Sequence, residues 1–410
     1  MLFLYNIAIR FYYLSILFAS LFNKKARFWI GGRKGLFERI SSEINSDDHI
    51  IWFHCSSLGE FEQGRPVIEK IREKLPDRKI LLTFFSPSGY EIRKNYTGAD
   101  YIYYLPPDTG KNARKFLDLI HPEIVFFVKY EYWYHYLSIL HKRGINTYLI
   151  SGKFRPDQIF FRRYGKWFRK MLRFFNHFFI QDKNSASLLE SIGIKNFTVS
   201  GDTRFDRVYA IARKAPDFPG IRKITTGHLT LIAGSTWPED EEILVRFMNE
   251  NKTELKYIIV PHEIHERNIR YLQEKIQMKT IRYSSLDQKE IHDPDVLIID
   301  TIGILSSIYQ YGSIAYIGGG FGKGIHNTLE AAIFGLPVIF GPNYKKFREA
   351  VDLINHHGGF SINDYQSFSE IVIQLIRNKN ILKTSGENAR NYVKSGFGAT
   401  DKIINFALTK

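Results

Sequence analysis

The stretch HCSSLGE, residues 54–60, closes an apolar run and opens an amphipathic one, with Glu60 directly after Gly59. An acid at that junction sits at a helix N-terminus, where unsatisfied N–H groups and the helix dipole favour an ionised carboxylate. At the rim of a cleft such a carboxylate can take the proton of an attacking hydroxyl. The position equally suits an acid that only caps its helix, and residue types alone do not separate the two. A second constellation lies in GGGFGKGIHNTLEAAIFGLPVIFGP, residues 318–342. Its glycine-rich turn leads into a helical pattern expected to carry His326, Asn327 and Glu330, with Asn327 and Glu330 on one face of the first turn. A carboxylate there can accept both hydroxyls of a ribose while free N–H groups face a phosphate. AGSTWPEDEE, residues 233–242, reads as a strand, a corner and an acidic helix start. Ser235 and Thr236 are expected to cap that helix, for about 1 kcal/mol, and the corner's N–H groups could receive an anionic group.

Other signatures fail on spacing. Gly322-Lys323 lacks the following Ser or Thr and the glycine five positions earlier that a Walker loop needs. No Gly-x-Gly-x-x-Gly occurs in that run. HEIHE, residues 262–266, has its second histidine one residue too early for a zinc-protease helix. His54 beside Cys55 reads as packing rather than a nucleophilic pair. The lone cysteine also excludes an internal disulfide framework and fits a reducing compartment.

These residues need a scaffold that brings strand ends together. At 410 residues the chain suits two domains of middling size. Expected strands at 49–54, 79–85, 123–128, 146–151, 177–181 and 197–201 alternate with helical patterns at 61–75, 110–120, 132–143 and 183–191. The pattern restarts with strands at 229–235, 256–261, 295–300, 313–319 and 337–341. Such alternation predicts parallel sheets covered on both faces, with ligands held at the carboxyl ends of the strands. The expected class is α/β, two Rossmann-like domains facing a cleft. Residues 23–212 form the first domain, 213–228 a Pro- and Gly-bearing linker, and 229–385 the second. A terminal helix, 386–410, is expected to pack back on the first domain.

The first 22 residues, MLFLYNIAIRFYYLSILFASLF, would as a helix reach about 33 Å, enough to cross a bilayer core. The basic NKKAR that follows keeps the rest of the chain on the cytoplasmic side. Arg10, costing roughly 2.5 kcal/mol or more at mid-bilayer, weighs against full spanning. Asn6, Arg10 and Tyr13 share a helical face, which also permits an in-plane anchor. A net charge of +15 points to a polyanionic partner: nucleic acid, anionic lipid or a phosphorylated substrate. FFRRYGKWFRKMLRFF, residues 160–175, reads either as a solvated helix with an aromatic core stripe or as a basic aromatic surface lying on a membrane.

Taken in order along the chain, the motifs resemble those of the 3-deoxy-D-manno-octulosonic acid (Kdo) transferases of lipid A synthesis. The N-terminal anchor and GGRKG (31–35) are similar to the family's start, and HCSSLGE to its strand with a Val-Gly-Glu corner. SPSGYE (86–91), YEYW (130–133) and GDTRFD (201–206) match its Thr-Pro-Thr-Gly, Thr-Glu-Leu-Trp and Gly-Asn-x-Lys-x-Asp segments. AGSTWPEDEE, VPHEIHER, DTIGIL (300–305) and the His-Asn-x-x-Glu stretch follow in the family's order. The resemblance covers almost the whole chain. It implies a GT-B glycosyltransferase that moves Kdo from CMP-Kdo to lipid IVA with inversion, without metal or other cofactor, at the cytoplasmic face of the inner membrane. It implies Glu60 as catalytic base. It also implies a nucleotide held by Pro261 and His262, by Ile302, Gly303 and Ile304, and by Asn327, Thr328, Leu329 and Glu330. Ser57, Gly59, Glu131, Lys153, Ser235, Thr236 and His326 are further candidate contacts to donor or acceptor.

The partners so implied are CMP-Kdo, a phosphorylated glycolipid and the membrane, with no nucleic acid. Departures from the family pattern fall at His262 for its usual Arg, Ile302-Gly303-Ile304 for Met-Gly-Glu, Lys129 for a Glu, and Lys153 for an Arg. Another GT-B glycosyltransferase, a UDP-sugar epimerase, or a non-catalytic membrane protein that binds sugar nucleotides or anionic lipid are the alternative readings.

Overall fold

A computed structural model describes residues 1–251, 253–286 and 293–409. The chain divides into two compact units, Met1–Asp206 with Gly398–Lys410, and Arg207–Phe397.

The first unit is built on β1 (Ile50–Cys55), β2 (Lys79–Phe84), β3 (Tyr101–Tyr104), β4 (Pro122–Val128), β5 (Asn146–Gly152), β6 (His177–Ile180) and β7 (Phe197–Val199). They form one seven-stranded sheet in the order β3-β2-β1-β4-β5-β6-β7. Every pairing in it is parallel. The order reverses between β1 and β4, so their carboxyl ends open the crevice where such sheets hold ligands. Both faces are buried, which is why the strands read as unbroken apolar runs. Trp52, Leu81, Val125, Phe127 and Leu149 pack on one face. Phe53, Leu82, Phe126, Val128 and Ile150 pack on the other, against Ile403 and Ile404 of the terminal helix Ala399–Ala407. Buried Asp206 ties that returning segment down by accepting from the N–H groups of Gly398 and Thr400, each at 2.6 Å.

The 22-residue apolar run folds as a helix over Leu2–Ala19, long and apolar enough to cross a membrane. Asn23 then restarts the chain, its side chain capping the N–H groups of Lys25 and Ala26 for the helix Lys24–Gly31. One side of the first helix touches the unit. Tyr5 donates to the buried Asp108 at 2.5 Å, Asn6 Oδ1 meets His135 Nε2 at 2.7 Å, and the Tyr13 and Trp29 rings lie 6.0 Å apart. Phe3, Phe11, Phe18 and Phe22 stay exposed. The basic aromatic stretch at 160–175 is not one continuous helix. It folds as two 3-10 turns and the short helix Arg169–Leu172, with Phe160, Met171, Leu172 and Phe175 in the core and Arg162, Arg163 and Lys170 outside.

The second unit repeats the plan with β8 (Thr230–Thr236), β9 (Lys256–Pro261), β10 (Thr280–Arg282), β11 (Val296–Ile298), β12 (Ile314–Ile317), β13 (Val338–Phe340) and β14 (Gly359–Ser361). Their order is β10-β11-β9-β8-β12-β13-β14, again all parallel, and it reverses between β8 and β12. Residues 213–228, read as linker, include a helix at Pro219–Thr225 whose Ile221 and Ile224 are buried. The helix Lys379–Ser395 belongs to this unit, whereas Ala399–Ala407 belongs to the first.

Candidate active site

Glu60 is the third residue of the helix Leu58–Lys74, whose N-cap residue Ser57 makes no capping hydrogen bond. The Ser57 hydroxyl instead donates to the Glu60 carboxylate. Among the described residues that is the carboxylate's one hydrogen-bond partner, and no backbone N–H claims it. A capping acid would accept from backbone N–H groups. Glu60 therefore keeps an oxygen free in a half-buried setting at the positive end of a helix. Gly59 beside it is exposed.

β4 ends next to β1, β5 ends next to β4, and both are followed by cations. Lys129 follows β4 with a left-handed backbone, φ 69°, a conformation bulky residues seldom adopt. Its N–H donates to the Ile150 carbonyl at 2.9 Å, which holds the turn. Burial lowers the Lys129 ammonium below the usual lysine range, Glu60 opposes that shift, and Arg204 and Lys153 add to it. Lys153 follows β5, whose own last turn passes through Ser151 at φ 52°. Arg204 is engaged by Asp202 at 2.8 Å.

Glu131, in contrast, is buried and occupied. Its Oε2 takes His54 Nε2 at 3.0 Å and Trp133 Nε1–H at 2.6 Å. His54 Nδ1 in turn meets Thr83 Oγ1 at 2.9 Å, which also accepts from Trp52 Nε1 at 2.8 Å. His54 is thus a satisfied core histidine. Cys55 points to the opposite face, where burial pushes its thiol up and leaves it unreactive.

In the second unit the helix at the His-Asn-x-x-Glu stretch is shorter than expected. It spans only Leu329–Ala332, with Thr328 as its N-cap residue. His326 and Asn327 precede it instead of riding on it. Asn327 Nδ2 donates to Glu330 Oε1 at 2.9 Å, and its Oδ1 accepts from the Leu329 N–H at 3.2 Å. That N–H is therefore already used. Thr328 and Leu329 are fully buried, and the Thr328 hydroxyl has no partner among the described residues.

The AGSTWPEDEE corner also differs from expectation. Trp237 is the N-cap residue of the helix Pro238–Glu250, and Asp240 rather than a serine or threonine does the capping, accepting from the Trp237 N–H at 2.9 Å. Thr236 donates to Glu241 at 2.8 Å, and Ser235 turns the chain with φ 54°. Asp240 also accepts from the Gly319 N–H at 2.8 Å and from Tyr316 at 2.6 Å, so one buried carboxylate ties the corner to the glycine-rich turn. Glycine at 318 is obligatory, because a Cβ there would fall 2.2 Å from the Ser235 carbonyl oxygen. Pro261 ends β9, and the exposed His262 follows, its ring stacked with Trp237 and with His326. Ile302 is 90% exposed, Gly303 turns at φ 96°, and Ile304 starts the short helix Leu305–Ile308. Among the described residues no three His, Cys, Asp or Glu side chains converge as a metal site requires.

Burial, with His262 adjacent, pulls the His326 imidazole down to about 4. The folded chain therefore binds fewer protons at His326 than the unfolded chain as pH falls from about 6.5 towards 4, and stability is lost over that window. His326→Gln should flatten this part of the midpoint-versus-pH curve in urea titrations. Parallel curves for both chains would mean His326 is not held neutral.

The chain is similar to known proteins over most of its length. The family model described as "3-Deoxy-D-manno-octulosonic-acid transferase (kdotransferase)" matches residues 31–207. The 3-deoxy-D-manno-octulosonic acid transferase of Chlamydia trachomatis serovar A is 24% identical over 384 residues, covering 89% of this chain and 88% of its own. That of Aquifex aeolicus is 26% identical over 340 residues, covering 81% and 88%. The structure of UDP-GlcNAc 2-epimerase from Neisseria meningitidis bound to UDP-GlcNAc shares the fold at TM-score 0.61 and 15% identity, covering 88% of this chain and 99% of that one. Two parallel seven-stranded α/β units in series are the GT-B fold, and the family model and the relatives support a glycosyltransferase on it. The chain is similar to the Kdo transferases, through the family model over residues 31–207 and through these relatives over most of its length.

Proposed function

We propose that this protein transfers Kdo from CMP-Kdo to lipid IVA or a closely related phosphorylated glycolipid, with inversion, using Glu60 as base and no metal. The observation that carries the catalytic part is the carboxylate at the β1–β4 switch point, bound by one serine and not spent on capping. Glu60 accepts the proton of the acceptor sugar hydroxyl as that oxygen bonds to the anomeric carbon of Kdo. The bond from that carbon to the CMP phosphate breaks, and CMP departs with its electron pair. Lys129 and Lys153 form no ion pair among the described residues, and they supply positive charge beside this acid for the acceptor's phosphate. In the second unit Glu330 and Asn327 take the ribose, and Ile302 offers apolar surface to the base. The Leu2–Ala19 helix holds the enzyme at the cytoplasmic face of the inner membrane, in reach of a lipid acceptor. Its exposed phenylalanines and the following basic residues support that placement.

Donor choice tests the reading. Membranes carrying the protein, supplied with acceptor and either CMP-Kdo or UDP-sugars, should release CMP in the first case and no UDP in the second. Release of UDP, or epimerised UDP-sugar, would replace this function with another on the same fold.

Glu330→Ala should weaken CMP-Kdo binding at least about tenfold, since hydrogen bonds to a charged group contribute about 1.5–3 kcal/mol. Calorimetric titration of the folded variant checks this. Unchanged affinity would remove Glu330 from the site.

A further inference from the structure

Three aromatic side chains meet at the carboxyl edge of the second sheet, one from each of three neighbouring strands. Trp237 follows β8, His262 follows β9, and His326 lies in the turn after β12. The His262 ring centroid is 4.6 Å from that of Trp237, with planes 25° apart, and 4.5 Å from that of His326, with planes 29° apart. Trp237 Nε1–H donates to His326 Nε2 at 3.1 Å. Two rings joined edge to edge by a hydrogen bond cannot flank a third on opposite faces, which would separate them by roughly 7 Å. Trp237 and His326 therefore lie side by side as one platform, and His262 lies across both.

The platform fixes a tautomer. An indole N–H only donates, so His326 Nε2 must be the accepting nitrogen, and the proton of the neutral ring sits on Nδ1. That ring stays neutral near pH 7, because burial and the neighbouring His262 hold its pKa near 4. Nδ1–H has no hydrogen-bond partner among the described residues, so this donor is available to a ligand. The backbone around it is held as well: Asp240 takes the N–H groups of both Trp237 and Gly319, the residues that carry the two loops. All three rings stand at or beside the point where the strand order reverses, the place where sheets of this kind receive ligands.

We propose that Trp237 is a positioning residue that fixes His326 as an Nδ1–H donor to an anionic phosphate oxygen of the donor nucleotide, with His262 lying over the pair as a second donor. The inference rests on the reading that the second unit holds the nucleotide. A neutral donor locked in one tautomer binds a phosphate oxygen without the cost of choosing between proton positions at the moment of binding.

The test uses the full chain labelled with ¹⁵N-histidine and CMP as the probe. His326, assigned by its loss in His326→Gln, should show its proton on Nδ1 in the wild-type protein. Trp237→Phe keeps an aromatic ring but removes the donor, and should return His326 towards the Nε2–H form that free neutral imidazole prefers. CMP should shift the His326 and His262 resonances of the wild type, and its affinity should fall about three- to tenfold in Trp237→Phe. A wild-type His326 protonated on Nε2 would overturn the proposal. Wild-type CMP affinity in Trp237→Phe, alongside a loss in Glu330→Ala, would overturn the role of Trp237 while leaving the donor site in place. Failure of the wild-type chain to bind CMP would overturn both.

Discussion

Glu60→Gln should cut turnover by about 10²–10⁴-fold while leaving CMP-Kdo affinity nearly intact. Glutamine matches glutamate in size and can still accept the Ser57 hydroxyl, so the local fold should survive. What it removes is basicity. The anomeric carbon of Kdo is fully substituted and carries a carboxylate, so the attacking hydroxyl arrives at a crowded centre with an oxocarbenium-like transition state. A positioned base typically contributes about 3–5 kcal/mol to such a step. Because the lost interaction exists mainly in the transition state, kcat should fall and KM for the donor should stay. Near-normal turnover would return Glu60 to an accessory role. The next carboxylate at that strand edge, Glu131, is a poor substitute. Its Oε2 is taken by both His54 and Trp133, and the side chain is 6% exposed.

Asp240→Ala should destabilise the second unit by at least about 3 kcal/mol. The substitution strips the acceptor from three donors at once: the N–H groups of Trp237 and Gly319 and the Tyr316 hydroxyl. A buried donor left unsatisfied costs about 1–3 kcal/mol, and Tyr316 is fully buried. The loss should be confined to one half of the chain. Hydrogen exchange should quicken in β8 and β12 while β1 and β4 stay protected, because each unit has its own core. Asp240→Asn keeps one accepting oxygen and should lose roughly half as much. A urea midpoint for Asp240→Ala equal to that of the wild type would show that the glycine-rich turn holds itself without this carboxylate.

Much of this framework was legible in the residues, because fully buried parallel strands announce themselves as apolar runs. The helices at 110–120 and 183–191 fall where the periodicity puts them. The strands that escaped notice, β3, β10 and β14, are three or four residues long and lie at sheet edges. No periodicity survives in so short a run. His54 and Cys55 could be separated as neighbours facing opposite sides of a strand. That His54 answers to Glu131, 77 residues away, could not.

The same limit hid Asp240, which looks like one acid among several at a helix start. Its partners Tyr316 and Gly319 lie 76 and 79 residues further on. Asn327 was placed on the helix from its spacing to Glu330. Its side chain instead bonds the Leu329 N–H, a local alternative to helical pairing that asparagine favours just ahead of a helix. Trp237 carried no signal at all in the linear chain. Its indole N–H matters only because β12 returns beside β8.

The most direct measurement is the mass of the acceptor. The protein in membranes, given CMP-Kdo and defined lipid IVA, should convert the acceptor to a species heavier by one or more Kdo residues. The Glu60→Gln chain, assayed at matched abundance, should leave nearly all acceptor unmodified over the same interval. An acceptor of unchanged mass with the wild-type chain, in the presence of intact CMP-Kdo, would contradict the assignment of this protein as the transferase that joins the two.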